Sequence, residues 1–160
     1  AWNICTQLTV QFIVLGAGET WCENEIHELE RKLVNFKSYI GYDEALSHLI
    51  EAGSDFFLMP SHYEPCGLNQ IYSQVYGTIP IVRETGGLKD TITDSGDNEG
   101  NGFTFSTYNA HDMLYTIRRG IEGYSNKEGW NILVKRAMEC DNSWGKSANE
   151  YIRLYKSILK

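Results

Sequence analysis

The chain has 160 residues, 42% hydrophobic and 22% charged, with a formal net charge of −7. That length makes one domain with room for a real core, and the composition excludes a disordered polymer. The acidic balance, with no Lys/Arg cluster against it, excludes nucleic acid as an expected partner, and residues 10–17, the longest apolar stretch, are too short to span a bilayer, so no membrane is expected either.

Residues 1–6 read as a tail. Residues 7–15 are rich in β-branched side chains and end at Gly16-Ala17-Gly18-Glu19, so a buried strand followed by a turn is predicted. Gly16 and Gly18 begin a dinucleotide-type GxGxxG loop, but Trp21 stands at its third glycine, and a plain tight turn is the better reading. Thr20 and Glu23 have capping-box spacing ahead of a helical stripe of Ile26, Leu29 and Leu33. Residues 36–40 form a second strand, ending at Gly41-Tyr42. Asp43 is the predicted N-cap of a helix with Leu46, Leu49 and Ile50 on its apolar face.

Residues 55–59 are a third strand, leading into Ser61-His62-Tyr63-Glu64-Pro65-Cys66-Gly67-Leu68-Asn69-Gln70 and a helix running through Ile71 and Val75 to Gly77. A strand, loop and helix in this order hold the Glu64 carboxylate beside the first turn of a helix. The unpaired N–H groups and partial positive charge of such a turn suit a phosphate or sugar hydroxyls. Residues 79–82 are a fourth strand, with Pro80 tolerated near its start. Thr85-Gly86-Gly87 then makes a second glycine turn, and Leu88 opens a short helix. Residues 94–102 read as a solvated acidic loop rather than a calcium site, because the EF-hand spacing is absent. Residues 102–105 are the last strand.

Three helical stripes follow: Ala110, Met113, Leu114, Ile117 and Ile121; Trp130, Leu133, Val134, Ala137 and Met138; and Tyr151, Leu154, Tyr155, Ile158 and Leu159. Ser143 is a cap for the last helix, and Trp130, Trp144 and the stripes are assigned to the core. Alternation of strands and helices predicts an α/β fold, a Rossmann-like parallel sheet with helices on both faces. Cys5, Cys22, Cys66 and Cys140 show no zinc spacing, so no metal and reduced thiols are expected. Cys66 with His62 leaves a nucleophilic pair open.

The run Glu64-Pro65-Cys66-Gly67-Leu68-Asn69-Gln70, followed by Tyr76-Gly77-Thr78-Ile79-Pro80-Ile81-Val82-Arg83 and by Thr85-Gly86-Gly87-Leu88-Lys89-Asp90-Thr91, resembles the C-terminal domain of bacterial glycogen synthases and plant starch synthases. Gly41-Tyr42, Glu44-Ala45, Ser47-His48 and Ser143-Trp144 belong to the same likeness, which spans nearly the whole chain. It implies the nucleotide-binding C-terminal half of a GT-B glycosyltransferase. Such enzymes move glucose from ADP-glucose or UDP-glucose to the non-reducing end of an α-1,4-glucan, with retention and without a metal or other cofactor.

The resemblance implies that Glu64 is the catalytic candidate near the donor sugar hydroxyls. The backbone of Cys66 and Gly67 would face glucose, and the Leu68 and Asn69 amides the distal phosphate. Tyr42 would stack on adenine. Tyr72 stands where related retaining enzymes place a ribose-holding glutamate, and Thr85, Gly86 and Gly87 line the second turn. Glu84 departs from the basic residue common in the bacterial enzymes.

Residues 1–160 are therefore expected to be a single nucleotide-sugar-binding domain, a fragment of a two-domain enzyme and inactive alone. The phosphate-clamping Arg and Lys and the glucan-binding wall would come from polypeptide ahead of residue 1. The expected location is the cytoplasm if bacterial and the plastid if plant. The alternatives are another sugar-nucleotide transferase of this fold, a non-catalytic nucleotide- or glucan-binding module, and a dehydrogenase or flavodoxin-like domain, the last weakened by Trp21.

Overall fold

The computed structural model describes residues 1–97 and 99–159. Five strands, β1 (Phe12–Gly16), β2 (Phe36–Ile40), β3 (Phe56–Met59), β4 (Ile79–Arg83) and β5 (Phe103–Phe105), alternate with helices α1 (Trp2–Gln7), α2 (Thr20–Lys32), α3 (Glu44–Gly53), α4 (Asn69–Tyr76), α5 (Gly86–Thr91), α6 (Ala110–Ser125), α7 (Lys127–Met138) and α8 (Trp144–Ile158). Every strand pair is parallel, as a βα alternation requires. The strands form two sheets rather than one, β1-β2 and β3-β4-β5. Phe12 faces Phe36 in the first; Phe56 faces Ile79 and Ile81 faces Phe103 in the second.

The main core lies on the three-stranded sheet. Ile79 and Ile81 of β4 and Phe103 of β5 pack with Ile117 of α6 and with Trp130, Leu133 and Ala137 of α7. The Trp130 ring lies 4.9 Å from Phe56 and 5.1 Å from Tyr124. A second cluster on the other face joins Val82 to Leu88 and Ile92. The two-stranded sheet has a small core of its own, Cys5, Leu33 and Phe36.

Several elements differ from the sequence reading. Residues 2–7, expected as a tail, are helical, and Ile4 and Cys5 are buried; a six-residue helix is too short to show a period. This helix takes up Gln7, and β1 starts only at Phe12. The capping box does not form: Glu19 is the N-cap of α2, and the Glu23 carboxylate accepts from the Gly18 N–H instead. In α3 Leu49 is exposed while Glu51 is buried. In α4 the buried face is polar, Gln70, Ser73 and Gln74, and Val75 is exposed.

The stripe of α8 exists, but none of its residues is buried and Trp144 is 89% exposed, so it is not core. Met138 is likewise exposed at the end of α7. The acidic stretch after α5 is anchored rather than merely solvated. Asp94 accepts from the Gly96 and Thr104 N–H groups and pairs with Arg119 at 2.6 Å. Asp43 and Ser143 do cap their helices, accepting from the Leu46 and Lys146 amides.

Candidate functional site

The C-terminal ends of β3 and β4 each release a glycine turn, and the two turns are in backbone contact. Gly67, buried at φ +76°, closes the first turn in a left-handed conformation that glycine adopts at low cost. A Cβ there would collide with the Gln70 carboxamide. Gly86 (φ +46°) and Gly87 open the second turn, and the Gly87 N–H donates to the Glu64 carbonyl at 3.0 Å. A Cβ on Gly86 would strike that carbonyl oxygen, and one on Gly87 would strike the Cys66 backbone. Two side chains of zero size are the condition for this approach.

Gln70 holds the arrangement from below. Its Nε2 donates to the carbonyls of Cys66 and Gly67, both at 3.0 Å, and reaches the Thr91 hydroxyl at 3.2 Å; Thr91 in turn donates to the Gly87 carbonyl at 2.8 Å. A fully buried glutamine thus replaces the apolar contact expected of a helix face. On the other side Arg83 donates to the carbonyls of His62, at 2.5 Å, and Ser61, and its guanidinium lies 5.2 Å from the Tyr108 ring centroid. Gln70 and Arg83 were missed as site-building residues, although both stand inside the quoted motifs. Their role depends on which carbonyls lie nearby, and spacing does not show that.

Glu64, Cys66, Gly67, Gly86 and Gly87 are therefore brought together, with Thr85 at the N-cap of α5 and Leu68 at the N-cap of α4. The N-cap Leu68 makes no side-chain cap hydrogen bond and the first turn of α4 holds no acidic residue, so among the described residues its first N–H groups, starting at Asn69, face the turn uncapped. Glu64 is half-buried and Cys66 exposed. The Gly16–Gly18 turn differs, because the Glu23 carboxylate already occupies the Gly18 amide.

Tyr72 is 40% exposed, and its ring packs at 6.2 Å against His48, which also meets the Tyr76 hydroxyl at 3.3 Å. Tyr42 is 84% exposed at the end of β2, in the other half-sheet. Glu84 accepts from the Thr104 hydroxyl at 2.7 Å and is turned toward β5. The His62 ring packs edge-on against Tyr108 at 4.8 Å. Among the described residues no group of three or more His, Cys, Asp or Glu side chains could hold a metal ion, and no helix is long and apolar enough to cross a membrane.

Parallel strands alternating with helices, with apposed glycine turns at the C-terminal ends of β3 and β4, place this chain among α/β domains of the Rossmann-like class. Residues 3–133 match the family model of glycosyl transferases group 1, and the chain belongs to that family. It is 54% identical over 157 residues to a glycogen synthase of Bacillus cereus, covering 94% of this chain and 32% of that protein. A glycogen synthase of Treponema denticola is 45% identical over 163 residues, covering 100% of this chain and 33% of that protein. The catalytic domain of starch synthase IV from Arabidopsis thaliana, solved with ADP and acarbose, superposes with a TM-score of 0.82 at 39% identity, over 92% of this chain and 32% of that one. Sucrose-phosphate synthase from Thermosynechococcus elongatus, at 20% identity and a TM-score of 0.67, shares the fold. The chain spans about a third of the length of these curated relatives.

Proposed function

We propose that this chain is the donor-binding part of a glycogen or starch synthase that moves glucose from ADP-glucose or UDP-glucose to the non-reducing end of an α-1,4-glucan. The observation that carries it is the backbone contact between the 64–67 and 86–87 turns at the start of α4. It makes a rigid, glycine-walled corner where a diphosphate meets unpaired N–H groups. Leu68 and Asn69 amides serve the distal phosphate, and the Cys66–Gly67 backbone faces the sugar. Glu64 serves the sugar hydroxyls or the positive charge that develops at the anomeric carbon. Thr85, Gly86 and Gly87 close the second side. Tyr42 stacks on the base, and Tyr72 stands beside the ribose. No metal or other cofactor enters this reading.

The glucan acceptor and the cationic clamp on the departing diphosphate belong to polypeptide outside these residues, since charge stabilisation and exclusion of water need both walls of a crevice. The whole protein works in the cytoplasm if bacterial and in the plastid if plant. Titration of the chain with ADP, UDP and NAD, read by backbone NMR shifts, tests the reading. Shifts at Tyr42 and at residues 67–69 with ADP or UDP, lost in Tyr42→Ala, are expected. Shifts confined to residues 16–18 with NAD would overturn it. Release of ADP or UDP from donor plus glycogen is expected to stay at the buffer rate for the isolated chain.

A further inference from the structure

The two halves of the proposed nucleotide site stand on different sheets. Tyr42 follows β2 of the two-stranded sheet, while the corner at Gly67 and Gly86–Gly87 follows β3 and β4 of the three-stranded one, and no ladder joins the two sheets. A ligand that engages both places gains from the second contact only if they are held at the span of one molecule. Each half runs directly into a helix. Tyr42 precedes α3, whose first turn is fixed by its N-cap Asp43, and the corner precedes α4. The packing of α3 on α4 therefore couples the two places.

That packing is pinned at both ends. At the far end the buried Thr78 hydroxyl meets the carbonyls of Glu51 and Ser54, joining the end of α3 to the chain just beyond α4. At the near end the link is His48. Its ring lies 6.2 Å from the Tyr72 ring and 6.1 Å from the Tyr76 ring, both on α4, and its Nδ1 is 3.3 Å from the Tyr76 hydroxyl. Behind it on α3 is the buried Glu51 carboxylate. Its Oε2 stands 3.9 Å from the same Nδ1, has no hydrogen bond among the described residues, and attracts that edge of the ring. His48 and Tyr72 lie within about 6 Å, along the axis, of the starts of their helices. A change in their contact is thus passed on to Tyr42 and to the corner with little loss.

We propose that His48 is a positioning residue for nucleotide binding: its ring, set against Tyr72 and Tyr76, fixes the separation of Tyr42 from the diphosphate corner. This rests on the reading that Tyr42 takes the base and the amides of residues 67–69 the diphosphate. A ligand that needs only the corner, such as inorganic pyrophosphate, is indifferent to His48. A nucleoside diphosphate, which must reach both places, is not.

The test is a double-mutant cycle on the 160-residue chain, with His48→Ala, Tyr76→Ala and both together. Each protein is titrated with ADP, UDP and pyrophosphate and read by backbone NMR. His48→Ala is expected to weaken the nucleotide by about fivefold or more and pyrophosphate by less than about twofold. At saturation its shifts at residues 67–69 persist while those at Tyr42 fade. Tyr76→Ala weakens the nucleotide by a smaller factor, about threefold, and the double variant matches His48→Ala because both substitutions cut one contact. Should His48→Ala not fold, Tyr76→Ala reads the same contact from the other helix. Equal weakening of nucleotide and pyrophosphate in the folded variants would show a merely structural role and overturn the proposal. Unchanged nucleotide affinity, or losses that multiply in the double variant, would overturn it as well. If neither nucleotide shifts Tyr42 or residues 67–69 in the unsubstituted chain, the donor-binding reading itself falls, and the proposal with it.

Discussion

The two half-sheets are made of similar strand sequences, yet they bury very different amounts. In β3-β4-β5, the central strand has a neighbour on each edge and helices on each face, and Ile79, Ile81 and Val82 are essentially inaccessible. In β1-β2, only Phe36 is comparably enclosed, and Ile13 of β1 is 46% exposed. The strand β1 is as apolar as β4, so composition does not make the difference. A strand is buried by what pairs with its edges and covers its faces, and β1 has one paired edge. The candidate site follows the same division. Its rigid corner is built wholly on the well-packed half, while Tyr42 stands on the other.

This contrast can be broken or sharpened by substitution. Phe36→Ala and Ile81→Ala remove fully buried side chains, costing about 3–5 and 2–5 kcal/mol. If the halves differ as described, Ile81→Ala lowers the denaturant midpoint of the whole chain. Phe36→Ala then accelerates hydrogen exchange mainly in residues 12–40 and spares β4. Equal acceleration of β4 in Phe36→Ala would show one cooperative unit and end the comparison.

Asp94→Asn tests what ties β5 and α6 into the better-packed half. The Asp94 carboxyl lies below its ordinary value: burial pushes it up, but hydrogen bonds from Arg119 and from the Thr104 and Gly96 amides, with the Arg119 charge, outweigh that. Its stabilisation is present above the unfolded pKa, near 3.9, and is lost as pH falls through the depressed folded value. Asp94→Asn is expected to cost about 2 kcal/mol at pH 7 and to flatten the acid limb of a denaturation curve. An unchanged acid limb would remove the pair from the account.

Gln70→Leu probes the corner itself. Losing the donors to Cys66 and Gly67 leaves two carbonyls short of a partner, at a cost of about 1–2 kcal/mol. The ADP- or UDP-dependent shifts at residues 67–69 are expected to weaken with it. If they persist at full strength, the turn is held by Gly86 and Gly87 alone.

Glu51→Gln, at the buried carboxylate of α3, is expected to have the smallest effect, a rise of about 2 °C in Tm at pH 7. Burial raises the Glu51 carboxyl above its ordinary value, against a weaker opposing pull from His48. The unfolded chain therefore ionises more readily, so stability falls as pH rises between the unfolded value, near 4.3, and the raised folded one. Glutamine removes that penalty, and wild type and variant should converge below about pH 4. A gain that persists there would point to packing rather than charge.

Much of the fold is legible in the residues. Most strands are apolar runs ended by glycine or a turn, and the βα alternation requires parallel pairing. The two glycine turns, the Asp43 and Ser143 caps and the motif around Glu64 were all visible as spacing. Other features were not, because they depend on what lies opposite. The buried face of α4 is polar, since Gln70 answers backbone carbonyls of its own loop, and a hydrophobic-period reading passes over such a face. Trp144 and the α8 stripe were assigned to the core on their period alone, but period shows that a helix has an apolar side, not that these residues cover it.

By itself, the sequence determined the order and type of the main elements, the family motif and the two places where glycine is indispensable. Those depend on local conformational freedom and on periodicity, which are written along the chain. Only the tertiary structure decided that the Glu64–Gly67 and Gly86–Gly87 backbones touch, that Gln70 and Arg83 hold them, and that the sheet is open between β1 and β3. Each is a relation between segments at least 20 residues apart or carried by a carbonyl, and main-chain atoms are the same in every residue type, so their partners become visible only once the chain is folded.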